Sequence, residues 1–182
     1  DGVPLYVEEM TKSILDSVDL VERDGRRELS APLSSLAIPS TLKDSLMSRL
    51  DKLSPVKQIA QVSSVLGRRI SRALLHTVAE VGPAELDFSL KQLVDAELLY
   101  VSGGNEDPVY TFKHALIRDA AYESMLNSRR AELHRRAAEA LVTQFPEQTE
   151  TQPQVVAAHY ERAGKAELAA EYWLKSGRKA MA

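Results

Sequence analysis

The chain has no cysteine. That excludes disulfides, thiolate metal sites and cysteine nucleophiles, and it fits a cytoplasmic setting. No apolar run approaches the roughly 18 residues that a membrane span requires, and no signal peptide opens the chain. No membrane association is therefore expected. Neither sign of charge dominates: 23 Lys and Arg stand against 26 Asp and Glu, for a net charge of −3. There is no global electrostatic case for nucleic acid or an anionic surface. The phosphate-loop pattern GxxxxGK(S/T) is missing, as are GxGxxG, HExxH and GxSxG. His76, His114, His134 and His159 fall on separate elements without ligand-like spacing, so no metal is expected. Acidic residues are spread over helix faces, which reads as solvated surface rather than a catalytic carboxylate pair. This chain is not expected to be an enzyme, or to bind a cofactor, by itself.

What remains is an ordinary globular composition: 182 residues, 44% hydrophobic and 27% charged. That is enough for one domain or two small ones. The sequence starts at Asp1 without a methionine and stops in a helical pattern, "GRKAMA". The expectation is a piece cut from a longer protein.

Periodicity gives a mostly α protein. From Pro4 to about Val21, the residues Val7, Met10, Ile14, Val18 and Val21 recur on one helical face. Residues 23–40 are rich in turn formers and read as a loop with a short strand. A second helix begins near Thr41, whose spacing to Asp44 resembles a capping box, with Leu42, Leu46, Leu50 and Leu53 as its seam. In "SPVKQIAQVSSVLG", Ser54 and Pro55 suit a helix start and Gly67 a helix end. Ser71 suits the cap of a short helix carrying Leu74, Leu75 and Val78. A further helix follows, with Leu86, Leu90, Leu93 and Val94 inward. Two β-prone triplets then flank a Gly, Asn, Asp and Pro turn in "LYVSGGNEDPVYTF", a hairpin signal. Three short helices followed by a hairpin is the order of a winged helix. From His114 on, the pattern is helical. Leu133, Ala137, Leu141 and Phe145 share one face, and two helices turn at Gly164 with small residues beside Tyr160, Tyr172 and Trp173. The last part reads as one helical-hairpin repeat unit.

A winged helix raises the possibility of DNA binding. Its third helix would enter the major groove. Here that segment carries Glu85, Asp87, Asp95 and Glu97 against Lys91 alone, and the hairpin turn adds Glu106 and Asp107. Affinity for DNA rests on cations meeting phosphates, so this helix would be repelled. The basic cluster lies further on, at Arg129, Arg130, Arg135 and Arg136, with Glu132 between. It reads as a solvated helix face, or as a contact with an acidic surface of a partner.

Four stretches resemble the region after the nucleotide-binding core in STAND-type, AAA-like signalling NTPases. "GVPLYVEEM" is similar to the family's lid sequence GNPLFVEEL. "IPSTLKDSLMSRLDKLSPVKQIAQVSSVLGR", "YTFKHALIRDAAYESM" and "HYERAGKAELAAEYWLKSG" also match family segments. The likeness spans nearly the whole chain and is strongest to bacterial members fused to class III adenylate/guanylate cyclase or LuxR-type regulator domains. It implies residues 1–37 as the end of an ATPase lid and linker, 38–126 as a winged helix with a junction helix, and 127–182 as the start of a tetratricopeptide-like array. It also implies ATP or ADP in the intact parent, held by a core on another segment, and an effector domain in the same chain. Protein partners would meet the helical repeats. The parent would be a cyclase or ATPase, and this chain its non-catalytic regulatory part.

Two sets of residues carry over. Gly2 and Pro4 occupy the places of the lid motif that packs on adenine; the same pair also reads as a plain helix start. His114 matches the histidine that senses the ADP β-phosphate in the family's MHD motif, with Lys113 in place of the methionine and Ala115 in place of the aspartate. A helix N-terminus presents free N–H groups and positive potential, so a histidine there suits an anion. The alternatives are a junction residue bonded to backbone, a DNA-binding winged-helix transcriptional regulator, and a plain tetratricopeptide-like scaffold.

Overall fold

The computed structural model describes Val7, Thr11 and residues 20–23, 26–29, 42–53, 56–104 and 108–181. The chain divides into two compact units, Asp1–Leu53 and Ser54–Ala182. In the first, β1 (Leu20–Arg23) pairs antiparallel with β2 (Arg26–Leu29), with Arg23 opposite Arg26. The dipeptide between them in sequence, Asp24–Gly25, is a favoured hairpin turn. The expected first helix thus does not include Leu20 and Val21, and Met10, Ile14 and Val18 of its seam lie outside the described residues. Val21, placed in its apolar seam, belongs to a strand because the short β-prone run before Asp-Gly is better satisfied by pairing. Helix α1 (Leu42–Lys52) completes the described part of this unit. Gly2, Pro4 and the Thr41 cap lie outside the described residues, as does Ser54.

The second unit is mostly helical around a small sheet. Helix α2 (Lys57–Leu66) buries Ile59, Val62 and Val65. It ends at Gly67, whose φ of 111° is open to glycine and strained for other residues. Strand β3 (Arg69–Ser71) follows at once. Ser71 then caps α3 (Arg72–Ala79), its Oγ accepting from Leu74 N at 3.4 Å. Helix α3 buries Leu74, Leu75 and Val78. Helix α4 (Pro83–Asp95) opens on a first-turn proline and buries Leu86, Leu90 and Leu93. Strands β4 (Leu99–Ser102) and β5 (Val109–Phe112) form the expected hairpin. The sheet order is β3-β5-β4, antiparallel throughout. Leu99 opposite Phe112 and the central Ile70 turn into the core, while Tyr100 and Val101 stay exposed.

Helix α5 (Ala115–Glu123) leaves the sheet directly after β5 and packs on α2 through Ile117, Ala120 and Ala121. The two small residues allow the close approach. Helix α6 (Asn127–Gln144) packs on α8 (Pro153–Arg162) and touches α2 and α3. Between α6 and α8 lies a short helix, α7 (Pro146–Thr151), absent from the sequence reading. Pro146 and Pro153 each sit in the first turn of a helix, where the missing N–H costs nothing. Gly164, with φ 72°, turns α8 into α9 (Ala166–Ala180). These two helices pack as an antiparallel pair, with the Tyr160 and Tyr172 rings 5.8 Å apart. Trp173 is half exposed. Among the described residues, no helix is long and apolar enough to cross a membrane.

Candidate functional site

The junction between β5 and α5 is built from both sides. Lys113 N donates to Leu98 O at 3.1 Å, which continues the hairpin by one residue. Its ammonium lies 3.5 Å from Glu97 Oε2. His114 then takes extended dihedrals (φ −137°, ψ 146°) and becomes the N-cap of α5, its carbonyl accepting from Ile117 N at 3.1 Å. Its side chain makes no capping hydrogen bond. Its Nε2 is shut away from solvent and has no hydrogen-bond partner among the described residues. A buried polar atom left unmatched costs about 1–3 kcal/mol, so this nitrogen is a place where a hydrogen-bonding group would be stabilising. Lys113 is held by Glu97 on the hairpin side, while Ala115 and Leu116 at the helix start are exposed.

The basic cluster on α6 is largely committed to internal partners. Arg135 donates to Glu132 and to Glu139, at 2.6–3.0 Å. Arg136 donates to Glu132 at 2.8 Å and to Glu80, the left-handed residue that ends α3. Glu132, hydrogen-bonded first by Arg135 and then by Arg136, is held down to about 2. Arg130 donates to the carbonyls of Met125 and Glu123 and lies 4.8 Å from the centre of the Tyr122 ring. Arg136 and Arg130 thus act as clips that join α6 to α3 and to the end of α5, while Arg135 is paired within α6. Arg129 is partly exposed.

The structure brings together two histidines that spacing alone left apart. His134 on α6 and His159 on α8 are 0% and 5% exposed. Their Nδ1 atoms are 2.8 Å apart. On its other side, His134 Nε2 is 3.0 Å from the Tyr122 hydroxyl, in the last turn of α5. The result is a buried polar chain, Tyr122–His134–His159, across three helices. Burial is the main cause that pushes both imidazoles down, His134 to about 3 and His159 to about 4; the charge of Arg162 adds to both, and His159 itself adds to the shift of His134. Two imidazole nitrogens sharing a tetrahedral metal at ~2.05 Å would lie about 3.3 Å apart. The shorter separation is that of a hydrogen bond. Among the described residues no three His, Cys, Asp or Glu side chains are grouped to hold a metal. The sequence did carry one signal here: His134 stands beside Leu133 and three and four residues before Ala137 and Ala138. That places it at the edge of the apolar stripe.

Beside this chain is an open cleft of about 260 Å³ where α2, α5 and α8 meet. Ser64, Gly67, Arg118, Asp119, Tyr122 and Arg162 line it. Arg118 is bonded to the neighbouring Asp119 at 2.7 Å. Arg72 of α3 forms a two-pronged pair with Asp87 of α4 at 2.7 and 2.8 Å, so a basic residue of α3 is already spent on the acidic helix.

No family model matches the chain. The uncharacterized protein R02095 of Rhizobium meliloti (strain 1021) is 28% identical over 181 residues, which is 97% of this chain and 17% of that protein. The chain thus spans about a sixth of the length of the curated relative it matches.

Proposed function

We propose that this chain is a regulatory, non-catalytic part of a STAND-type signalling NTPase: a winged helix followed by tetratricopeptide-like hairpins that transmits the nucleotide state of a core on another segment to an effector domain. The observation that carries the reading is His114. It caps a helix at the end of the sheet, and its buried Nε2 lacks a partner among the described residues. A β-phosphate held by the core would supply that partner and add to the attraction of the α5 N-terminus. ADP would then favour one arrangement of core and winged helix, and its exchange for ATP would release it, a two-state switch driven by differential affinity. The order helix–strand–helix–helix–hairpin, with the sheet running β3-β5-β4, supports the winged-helix assignment. The antiparallel pair α8–α9 supports the repeat assignment. The parent would be a cyclase-linked or transcriptional signalling protein of the cytoplasm, and its repeats would meet protein partners.

DNA binding is the reading that the same architecture invites. Its requirements are poorly met: α4 carries Lys91 as its one cation, and Asp87 is paired with Arg72. Duplex binding would weaken steeply with added salt, and a salt titration with labelled duplex distinguishes it. The test of the proposed reading is the ADP dissociation rate of a longer protein carrying the core, with His114 and with His114→Ala. Release at least several-fold faster in the variant supports the phosphate contact. Unchanged release removes it and leaves a helical scaffold.

A further inference from the structure

The nucleotide reading does not require the Tyr122–His134–His159 chain, and the position of that chain is specific. It lies where the α8–α9 hairpin rests on α6, and it reaches through Tyr122 into the helix that begins at His114. We propose that this chain is an acid-released latch: it holds the α8–α9 hairpin on α5 and α6 while one proton is shared between the two Nδ1 atoms, and it lets the hairpin go when each ring carries its own.

Proton counting supports this. At 2.8 Å the two Nδ1 atoms have room for one hydrogen between them. With both rings neutral, the chain runs in either direction. Tyr122 donates to His134 Nε2 and His134 Nδ1–H donates to His159, or His159 Nδ1–H donates to His134 and His134 Nε2–H donates to the phenol. One added proton is accommodated. The Tyr122 hydroxyl turns to accept from His134 Nε2–H, a single hydrogen stays between the Nδ1 atoms, and His159 Nε2 keeps the other. That state buries a cation near Arg162. A second proton puts N–H against N–H across 2.8 Å, and no rotation of the phenol relieves it.

The surroundings provide no compensation. Among the described residues, the charged and titratable groups that face the pair are Tyr122 on α5, with Arg130 reaching over its ring from α6, and Arg162 on α8; Arg118 and Asp119, paired with each other, line the cleft beside Tyr122. Among the described residues, no carboxylate contributes to the shift of either ring. The hairpin is able to move as a piece, because α8 and α9 pack on each other through Tyr160 and Tyr172. The latch does not require that His114 meet a nucleotide.

The test is amide hydrogen exchange on the 182-residue chain between pH 7 and pH 4.5, corrected for the intrinsic rate. Opening that takes up one or two protons rises by about tenfold to a hundredfold per pH unit below the ordinary histidine range. That rise is expected in residues 153–180, which should exchange at least tenfold faster than α2 and α4 at pH 4.5 because the hairpin opens without the rest of the fold. His134→Leu/His159→Leu should abolish it. A flat profile in 153–180, or exchange there no faster than in α2 and α4 at pH 4.5, overturns the latch. If the double variant does not fold, the imidazole nitrogen-15 shifts of the unaltered protein at pH 7 decide. One protonated and one bare Nδ1 support the latch, and two bare Nδ1 atoms refute it.

Discussion

Acid should destabilise this protein well before its carboxylates titrate. His134 and His159 are buried as neutral rings, held down to about 3 and about 4 by burial first and by positive neighbours second. In the unfolded chain both return to about 6.5. The unfolded state therefore binds more protons below that pH, and stability falls as the pH drops from 6.5 towards 4 and then 3. It is fully present above about 7. From pH 7 to pH 5 each ring costs ~2 kcal/mol, so the pair costs ~4 kcal/mol, against a total stability of about 5–15 kcal/mol for a typical domain. For a urea slope near 2 kcal/mol per M this is a drop of about 2 M in the midpoint. The ion pairs of Glu132 contribute little in this window, because a carboxylate held at about 2 is lost only below its ordinary value of 4.5. Urea unfolding followed by far-UV circular dichroism at pH 7 and pH 5 measures the change. The emission of Trp173, the sole tryptophan, reports α9 in the same titration. A midpoint that moves by less than ~0.3 M would refute the reasoning, as would an equal shift in His134→Leu/His159→Leu.

Other substitutions test separate parts of the structure. Tyr122→Phe removes the hydroxyl 3.0 Å from His134 Nε2 and leaves a buried nitrogen unmatched; the expected loss is ~1–3 kcal/mol in urea unfolding at pH 7. Gly67→Ala meets no atom within 4 Å of the new Cβ, yet its φ of 111° is unsuited to alanine. A purely backbone cost of ~1–3 kcal/mol should appear in the melting temperature. Ile117→Ala empties a fully buried site between α5 and α2 and should cost ~2–5 kcal/mol. By contrast, the exposed Arg72–Asp87 pair should contribute less than ~1 kcal/mol in a double-mutant cycle, despite its two-pronged geometry.

How far the sequence could be read depends on the range of each signal. The seams Leu74, Leu75, Val78 and Leu86, Leu90, Leu93, Val94 are local; the first six side chains are buried on the helices expected to carry them, and Val94, at the edge of its face, is half-buried. The hairpin was legible from its turn residues, and Gly164 from its place between two apolar runs. Strand β3 was not, because three residues cannot show alternation, and it exists by pairing with β5 some 40 residues on. The arginine cluster was half legible. The spacing from Glu132 to Arg135 and Arg136 predicts pairs along one helix, but the tie from Arg136 to Glu80 crosses 56 residues. The histidine pair lay furthest from reach. Each residue could be placed at an apolar stripe, whereas its partner is chosen by helix packing across 25 positions.

Why keep two histidines and a tyrosine where leucines would pack? A buried polar chain often stabilises less than apolar groups of the same volume, but its hydrogen bonds hold at one relative placement of the elements that bear them. Apolar surfaces slide with small change in energy; the N–N contact of 2.8 Å and the O–N contact of 3.0 Å do not. Here the chain fixes α8 against α6 and α6 against the end of α5. Helix α5 is nine residues long, and Tyr122 stands eight residues after His114, about 12 Å along the axis. A short, rigid helix that has at its start a ring nitrogen unmatched among the described residues, and near its end a bonded phenol, cannot shift at one end alone. In the proposed reading, a ligand that draws on His114 therefore strains the Tyr122 contact. Conversely, releasing Tyr122 changes how firmly His114 is held. Coupling of this kind is reciprocal: if it operates, Tyr122→Phe in the longer protein changes ADP release although the residue lies far from the phosphate. Unchanged release in that variant, alongside faster release in His114→Ala, would show that α5 carries the contact but not the coupling.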